Sequence, residues 1–160
     1  IQDIIDRANV GRSTFYAHYQ DKEDLVNSNV TSILDELGQH LEDESDTEQS
    51  ILPTLALFKH VEKEQHLFRA IRGGRGLELL LETAQSYWSN RIESHLEARL
   101  PNGQVPTVPL SMVANHLSTA LATFIKWGMD NNLPYTPEEM DEMFHRLVMP
   151  GVWATIREHS

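Results

Sequence analysis

The chain has 160 residues, of which 40% are hydrophobic and 8% aromatic. These are ordinary proportions for a globular protein that buries a substantial core. It contains no cysteine, which excludes a disulfide framework and thiolate metal sites and suits a reducing cytoplasm, where we expect the protein to reside. No apolar run has the length needed to span a membrane, so no membrane partner is expected. The net charge of −11 lowers non-specific affinity for nucleic acid but leaves room for a local phosphate-binding edge.

The first twenty residues predict two short helices joined by a tight turn. One helix runs up to Arg7-Ala8 and the second covers Arg12–Tyr19. Asn9 and Gly11 lie between them, and both residue types tolerate a positive φ. Helices joined by so short a turn cross steeply, which is helix-turn-helix geometry. Their buried seam consists of Ile1, Ile4, Ile5, Ala8, Val10 and Phe15.

The second of these helices carries a polar surface beside its apolar seam. Its remaining face offers Arg12, Ser13, Thr14, Tyr16 and His18, and Lys22 follows shortly after. Hydrogen-bond donors with little bulk are what a helix entering a DNA major groove requires. Residues at the helix N-terminus would lie nearest the base edges, whereas Tyr16, His18 and Lys22 would reach phosphates. For Phe15 and Tyr19 we expect core packing instead.

The run from Val10 to Leu25 resembles the recognition helix of the TetR family of transcriptional regulators. The residues in register with that family's pattern are Thr14, Tyr16, His18, Lys22 and Leu25. There are two departures. Asn9 stands where the family usually has Gly, and the chain begins where the family would already be in its second helix. We therefore expect the first helix of the DNA-binding domain to have been truncated or omitted, which leaves an incomplete helix-turn-helix domain at residues 1–26.

The rest of the chain predicts helices and no strand. An amphipathic stripe indicates a helix over residues 21–41, and a second is expected over 49–61 with Pro53 in its first turns. A short apolar helix containing Leu67 and Phe68 follows. The strongest pattern covers 77–99, and the next covers 110–129. The fold class predicted is therefore all-α, with the helix-turn-helix followed by a helical bundle over residues 27–160.

The start of the last helix carries a strong local signal. Thr136, Pro137 and Glu139 occupy the N-cap, N1 and N3 positions of a capping box. The helix is expected to run to residue 149, where Pro150-Gly151 bends or ends it.

The resemblance implies that residues 27–160 bind an effector and form a homodimer. TetR-like proteins dimerise through their last two helices, here 110–130 and 137–149, which makes Leu117, Leu121, Met140, Phe144 and Leu147 the interface candidates. Burial of the same stripes within one protomer is the alternative. A small-molecule pocket would be lined by aromatic residues with a few polar tips. The candidates are Phe58, Phe68, Tyr87, Trp88, Arg91, His95 and Phe124, although the same residues also fit an ordinary core.

No catalytic residue, metal site or cofactor is predicted. His60 and Glu64 lie one helical turn apart, but His66 lies off that face and no HExxH pattern exists.

The resemblance implies a repressor that an effector releases from a double-stranded DNA operator. Two alternatives stay open: a helical interaction or ligand-binding module that binds no DNA, and an α-helical enzyme.

Overall fold

The structure, a computed structural model, describes residues 11–43, 51–71, 75–100 and 106–157. These ranges form α-helices and contain no strand, so the predicted all-α class is confirmed. The helices in chain order are α1 Arg12–His18, α2 Lys22–Asp43, α3 Thr54–Lys63, α4 Gln65–Ile71, α5 Gly76–Arg99, α6 Leu110–Asp130 and α7 Pro137–Arg157. None of these helices combines the length and the apolar character that crossing a membrane needs. The helix predicted to precede α1 lies outside the described residues.

The core lies where α5 and α6 run against each other over most of their length. α2 packs on α5, and α3 packs on α7. The largest fully buried side chains include Trp88, Ile92, Leu117 and Phe144, each at most 2% exposed. On α5, Trp88 and Ile92 are four residues apart, and on α6 the buried Leu117 and Leu121 have the same spacing, which is that of an apolar stripe. The hydrophobic effect therefore holds these long helices together.

Polar contacts also join α3 to α7. The Thr54 hydroxyl, which is buried, donates a hydrogen bond to Oδ1 of Asp141. Lys59 Nζ lies 3.0 Å from Oε1 of Glu138, in an exposed ion pair. The buried hydrogen bond contributes more to stability than the exposed ion pair, because exposed ion pairs contribute little.

Helix α3 begins at Thr54 rather than at residue 49 as predicted. Pro53 is the N-cap residue and not a residue of the first turn. A residue that precedes proline is disfavoured in the helical region, so Leu52 cannot continue a helix into Pro53 at low cost. Ile51 and Leu52 instead lie in a bend before the helix and insert into the core, at 2% and 4% exposure.

Helix α7 continues through Pro150 to Arg157, eight residues beyond the predicted end at 149. A proline inside a helix costs about 3 kcal/mol, since it removes a hydrogen bond and crowds the preceding turn. Met149 and Val152 flank Pro150 and are buried at 4% and 3% exposure. Burying two such side chains contributes about 3–6 kcal/mol. This offsets the cost of the proline, so the helix continues beyond it.

The capping box at the start of α7 is present as predicted. The backbone N–H of Thr136 donates to Oε2 of Glu139 at 2.8 Å. In return, the backbone N–H of Glu139 donates to Oγ1 of Thr136 at 3.2 Å. Two N–H groups that the helix cannot satisfy internally are thereby paired.

Candidate functional site

Helix α1 buries one residue and exposes its polar ones. Phe15 is 5% exposed, and it is the buried residue of this helix. The predicted DNA-contacting side chains on α1 are all exposed: Arg12, Ser13, Thr14, Tyr16 and His18. Tyr16 keeps 51% of its surface accessible despite its size. The helix therefore presents a continuous polar face to solvent, with one aromatic anchor beneath it.

Phe15, the buried anchor of α1, contacts two neighbouring aromatic rings. The ring of Phe15 meets that of Tyr16 edge-on at a centroid distance of 5.3 Å. The Tyr19 ring, which is partly buried, lies 5.7 Å from the Phe15 ring. Such aromatic pairs are worth about 0.5–1.5 kcal/mol beyond the area they bury. They stabilise the local arrangement of the rings at the end of this short helix.

A second capping arrangement fixes the turn between α1 and α2. The backbone N–H of Asp24 donates to Oδ1 of Asp21 at 2.8 Å. The carboxylate of Asp24 in turn accepts from the backbone N–H of Gln20, also at 2.8 Å. This arrangement was not predicted from the sequence, although two aspartates three residues apart at a helix start are its signal. The Lys22 side chain lies outside the described residues.

A cavity lies inside the bundle, bounded by α2, α3, α4, α5 and α6, with a volume of ≈ 80 Å³. Phe68 and Trp88 are the two predicted pocket residues that line it. The other lining residues are Val30, Ile33, Leu34, Leu57, His60, Val61, Leu67, Leu80, Leu81, Ala84, Gln85, Ser118, Leu121, Ala122 and Ile125. These residues were not predicted from the sequence, because apolar residues that line a cavity have the same pattern as those that fill a core.

The remaining predicted pocket residues lie elsewhere. Phe58 and Phe124 pack with their ring centroids 6.4 Å apart, and Phe124 meets Phe144 edge-on at 5.3 Å. These rings fill the space between α3, α6 and α7. The structure therefore does not bring the seven predicted residues together around one cavity.

Tyr87 and Arg91 turn away from the cavity and bind α2. The Tyr87 hydroxyl donates to Oδ1 of Asp35 at 2.6 Å, and Arg91 Nη2 donates to the carbonyl of Gly38 at 2.9 Å. Burial, together with the bond to Asp35, raises the pKa of Tyr87 to about 12. These bonds join the middle of α2 to α5.

Two histidines lie partly inside the bundle. Burial lowers the pKa of His60 below its ordinary value of 6.5, and the nearby Glu64 opposes that shift. Burial also lowers the pKa of His95, and the positive charges of Arg99 and Arg91 add to the effect. The Nε2 atom of His95 is buried and has no hydrogen-bond partner in the part of the chain that the structure describes. Burial therefore favours the neutral form of both imidazoles.

The five predicted interface residues on α6 and α7 fall into two groups according to their exposure. Leu117, Leu121, Met140 and Phe144 are between 0% and 5% exposed, so they belong to the core of a single protomer. Leu147 is 75% exposed. It lies in an apolar surface groove of ≈ 510 Å³ whose other lining residues are Thr123, Phe124, Trp127, Met140, Met143 and Arg146.

A short polar helix presented ahead of a helical bundle is an arrangement suited to a DNA-binding regulator. Residues 1–28 match the family model described as bacterial regulatory proteins, tetR family. Residues 48–150 match the model described as transcriptional regulator C-terminal region. The chain belongs to the TetR family of transcriptional regulators. Neither the curated proteins nor the solved structures with which it was compared include a match.

Proposed function

We propose that this protein is a homodimeric, DNA-binding repressor that a small-molecule effector releases from its operator. The observation that carries the proposal is α1, where Phe15 is buried and every predicted DNA-contacting side chain of that helix is exposed. An exposed polar helix with an apolar anchor is rigid enough to enter a groove without losing its own packing. Residues 1–26 are proposed as the DNA-binding domain, and 27–160 as the domain for effector binding and dimerisation.

The proposed DNA contacts divide by their position along the helix. Arg12, Ser13 and Thr14 occupy the first turn of α1, where side chains can reach base edges. Tyr16, His18 and Lys22 follow, and we assign them to phosphates, which fix the register of the protein without reading sequence. Because the chain is acidic overall, it has no general attraction to DNA, and its affinity for DNA depends on these few contacts.

The proposed dimer forms through the apolar groove on α6 and α7. Trp127 and Leu147 are 46% and 75% exposed there, and Met143 lines the groove between them. Large exposed apolar side chains clustered on one face indicate a protein interface. Of the buried interface candidates, Met140 also lines the groove, and Phe144 contacts the groove residue Phe124. Leu117 and Leu121 are buried in the core. A second copy would place two α1 helices on successive turns of one DNA duplex.

The proposed release mechanism depends on α2, which belongs to both parts of the protein. Its N-terminus follows α1 directly, and its residues Val30, Ile33 and Leu34 line the cavity. An effector that fits the cavity better with α2 in a different position would change the spacing of the two α1 helices. The shift is limited to the difference in effector affinity between the two states.

A salt-titrated binding assay tests the DNA-binding part of the proposal. The full-length gene product would be titrated onto DNA from upstream of its own gene, beside the variants Tyr16→Ala and Lys22→Ala. Both are expected to weaken binding to all sequences, and loss of the Lys22 phosphate contact lowers the salt slope by about 0.9. Lys63→Ala, which removes an exposed lysine at the end of α3, is the control. Unchanged affinity and slope in both variants would contradict the assignment.

A further inference from the structure

The chemistry of the cavity lining restricts what the effector can be. Among the described residues, seventeen side chains line the cavity; fourteen of them are apolar and none belongs to Asp, Glu, Lys or Arg. A charged ligand entering this space would lose its hydration and meet no oppositely charged side chain among these lining residues. The lining therefore selects against ions of either sign.

The three polar lining residues offer acceptors more than donors. The Ser118 hydroxyl already donates to the carbonyl of Asn115 at 3.1 Å, which leaves its lone pairs. The Gln85 amide nitrogen donates to Oγ1 of Thr119 at 2.8 Å, which leaves its carbonyl oxygen. The third residue, His60, has no hydrogen-bond partner among the described residues, and in its neutral form one ring nitrogen accepts. A ligand that carries a hydroxyl or N–H group suits these acceptors.

The size of the cavity limits the ligand further. Its volume is ≈ 80 Å³, whereas an apolar cavity of about 150 Å³ is known to hold benzene. One wall is the ring of Trp88, which is 2% exposed and held by the core. The cavity thus has about half that volume, so a short chain fits more readily than a ring. A single ring is the upper limit and enters only if the surrounding leucines move.

We propose that the cavity binds a small uncharged molecule that contains at most one aromatic ring and carries one hydrogen-bond donor. The inference rests on the proposed effector role of this cavity and names the chemical class of its ligand. Acidic and basic effectors of the same size are excluded by it.

Calorimetric titration of the full-length protein without DNA tests the ligand class. The probes are benzyl alcohol, toluene, benzoate and benzylammonium, which share one ring and differ in charge and in the donor. Benzyl alcohol is expected to bind most tightly, and both ions at least about tenfold more weakly. Ser118→Ala is expected to narrow the preference for benzyl alcohol over toluene. Binding of either ion as tight as that of benzyl alcohol overturns the proposal, as does absence of benzyl alcohol binding.

Two matched variants locate the binding. Ala84 lines the cavity, and Ala84→Leu fills it, whereas Ala98→Leu adds the same atoms at an exposed position of the same helix α5. With unchanged circular dichroism, the first variant is expected to lose benzyl alcohol binding and the second to keep it. Equal binding by both variants places the ligand elsewhere and overturns the inference.

The same probes, added to the protein–DNA complex, separate this inference from the proposed function. Benzyl alcohol that binds the cavity without weakening the DNA complex supports the ligand class and contradicts effector release. Release by benzoate alone supports effector release and overturns the ligand class.

Discussion

Arg91 on α5 donates a hydrogen bond from Nη2 to the backbone carbonyl of Gly38 on α2, across 2.9 Å. The approach is possible because Gly38 has no side chain: a Cβ there would lie 2.9 Å from Cζ of Arg91 and 3.0 Å from Oη of Tyr87. The bond joins the helix that follows α1 to the helix that contributes Trp88 to the cavity.

Gly38→Ala is expected to loosen the joint between α2 and α5. Alanine improves helix propensity by about 1 kcal/mol, but its Cβ displaces the guanidinium of Arg91, whose hydrogen bond is worth about 1.5–3 kcal/mol. We expect a net loss of about 1 kcal/mol in the free energy of unfolding, measured by urea denaturation.

The control for this variant is Gly151→Ala in α7. A Cβ at Gly151 meets nothing within 4 Å, so only the propensity gain remains and stability should rise by about 0.5–1 kcal/mol. Opposite signs for the two glycines are the expected result. A gain of equal size at both positions would show that the Arg91 contact contributes nothing to stability.

Thr136→Ala tests the capping box of α7. The variant loses the acceptor for the Glu139 N–H, and we expect a loss of about 1 kcal/mol in thermal or urea unfolding. Thr136→Ser keeps the hydroxyl and should retain most of the stability. Equal losses in both variants would mean that the threonine methyl, rather than the cap, is the stabilising group.

The two partly buried histidines are expected to make the stability of the protein depend on pH. His60 and His95 have pKa values below 6.5 in the folded chain, so below pH 6.5 the unfolded chain binds protons that the folded chain does not. The free energy of unfolding therefore falls as the pH drops through 6.5 toward the folded pKa values. The double variant His60→Gln/His95→Gln should lose less stability than the wild type between pH 7.5 and 5.5. Parallel pH profiles would contradict the prediction.

Leu147→Glu tests the proposed dimer. The side chain is 75% exposed, so the charge costs little in a monomer but would be buried without a partner in the dimer. We expect sedimentation equilibrium to show at least about tenfold weaker association. Met112→Glu, at a residue of α6 that is 62% exposed and outside the groove, is the matched control. A dimer of undiminished affinity in Leu147→Glu would move the interface to another face.

Local signals determined much of this fold from the sequence. The bounds of α1, α2, α5 and α6 lie within two residues of those predicted, because apolar residues at a spacing of three and four define a helix wherever the chain places it. The capping box at Thr136 was equally readable, since its partners are three residues apart. The polar face of α1 followed from the same periodicity once Phe15 was assigned to the core.

Tertiary packing decided the features that depend on distant residues. Helix α7 passes Pro150 because Met149 and Val152 are buried against other helices, which no local pattern states. Trp88 lines the cavity, whereas its neighbour Tyr87 binds α2. Successive residues differ by about 100° around a helix, and the position of α2 determines which of the two side chains it contacts. Leu117 and Leu147 both belong to apolar stripes, but one is covered by its own protomer and the other is open. Periodicity identifies the apolar face of a helix, and only the packed bundle determines what covers it.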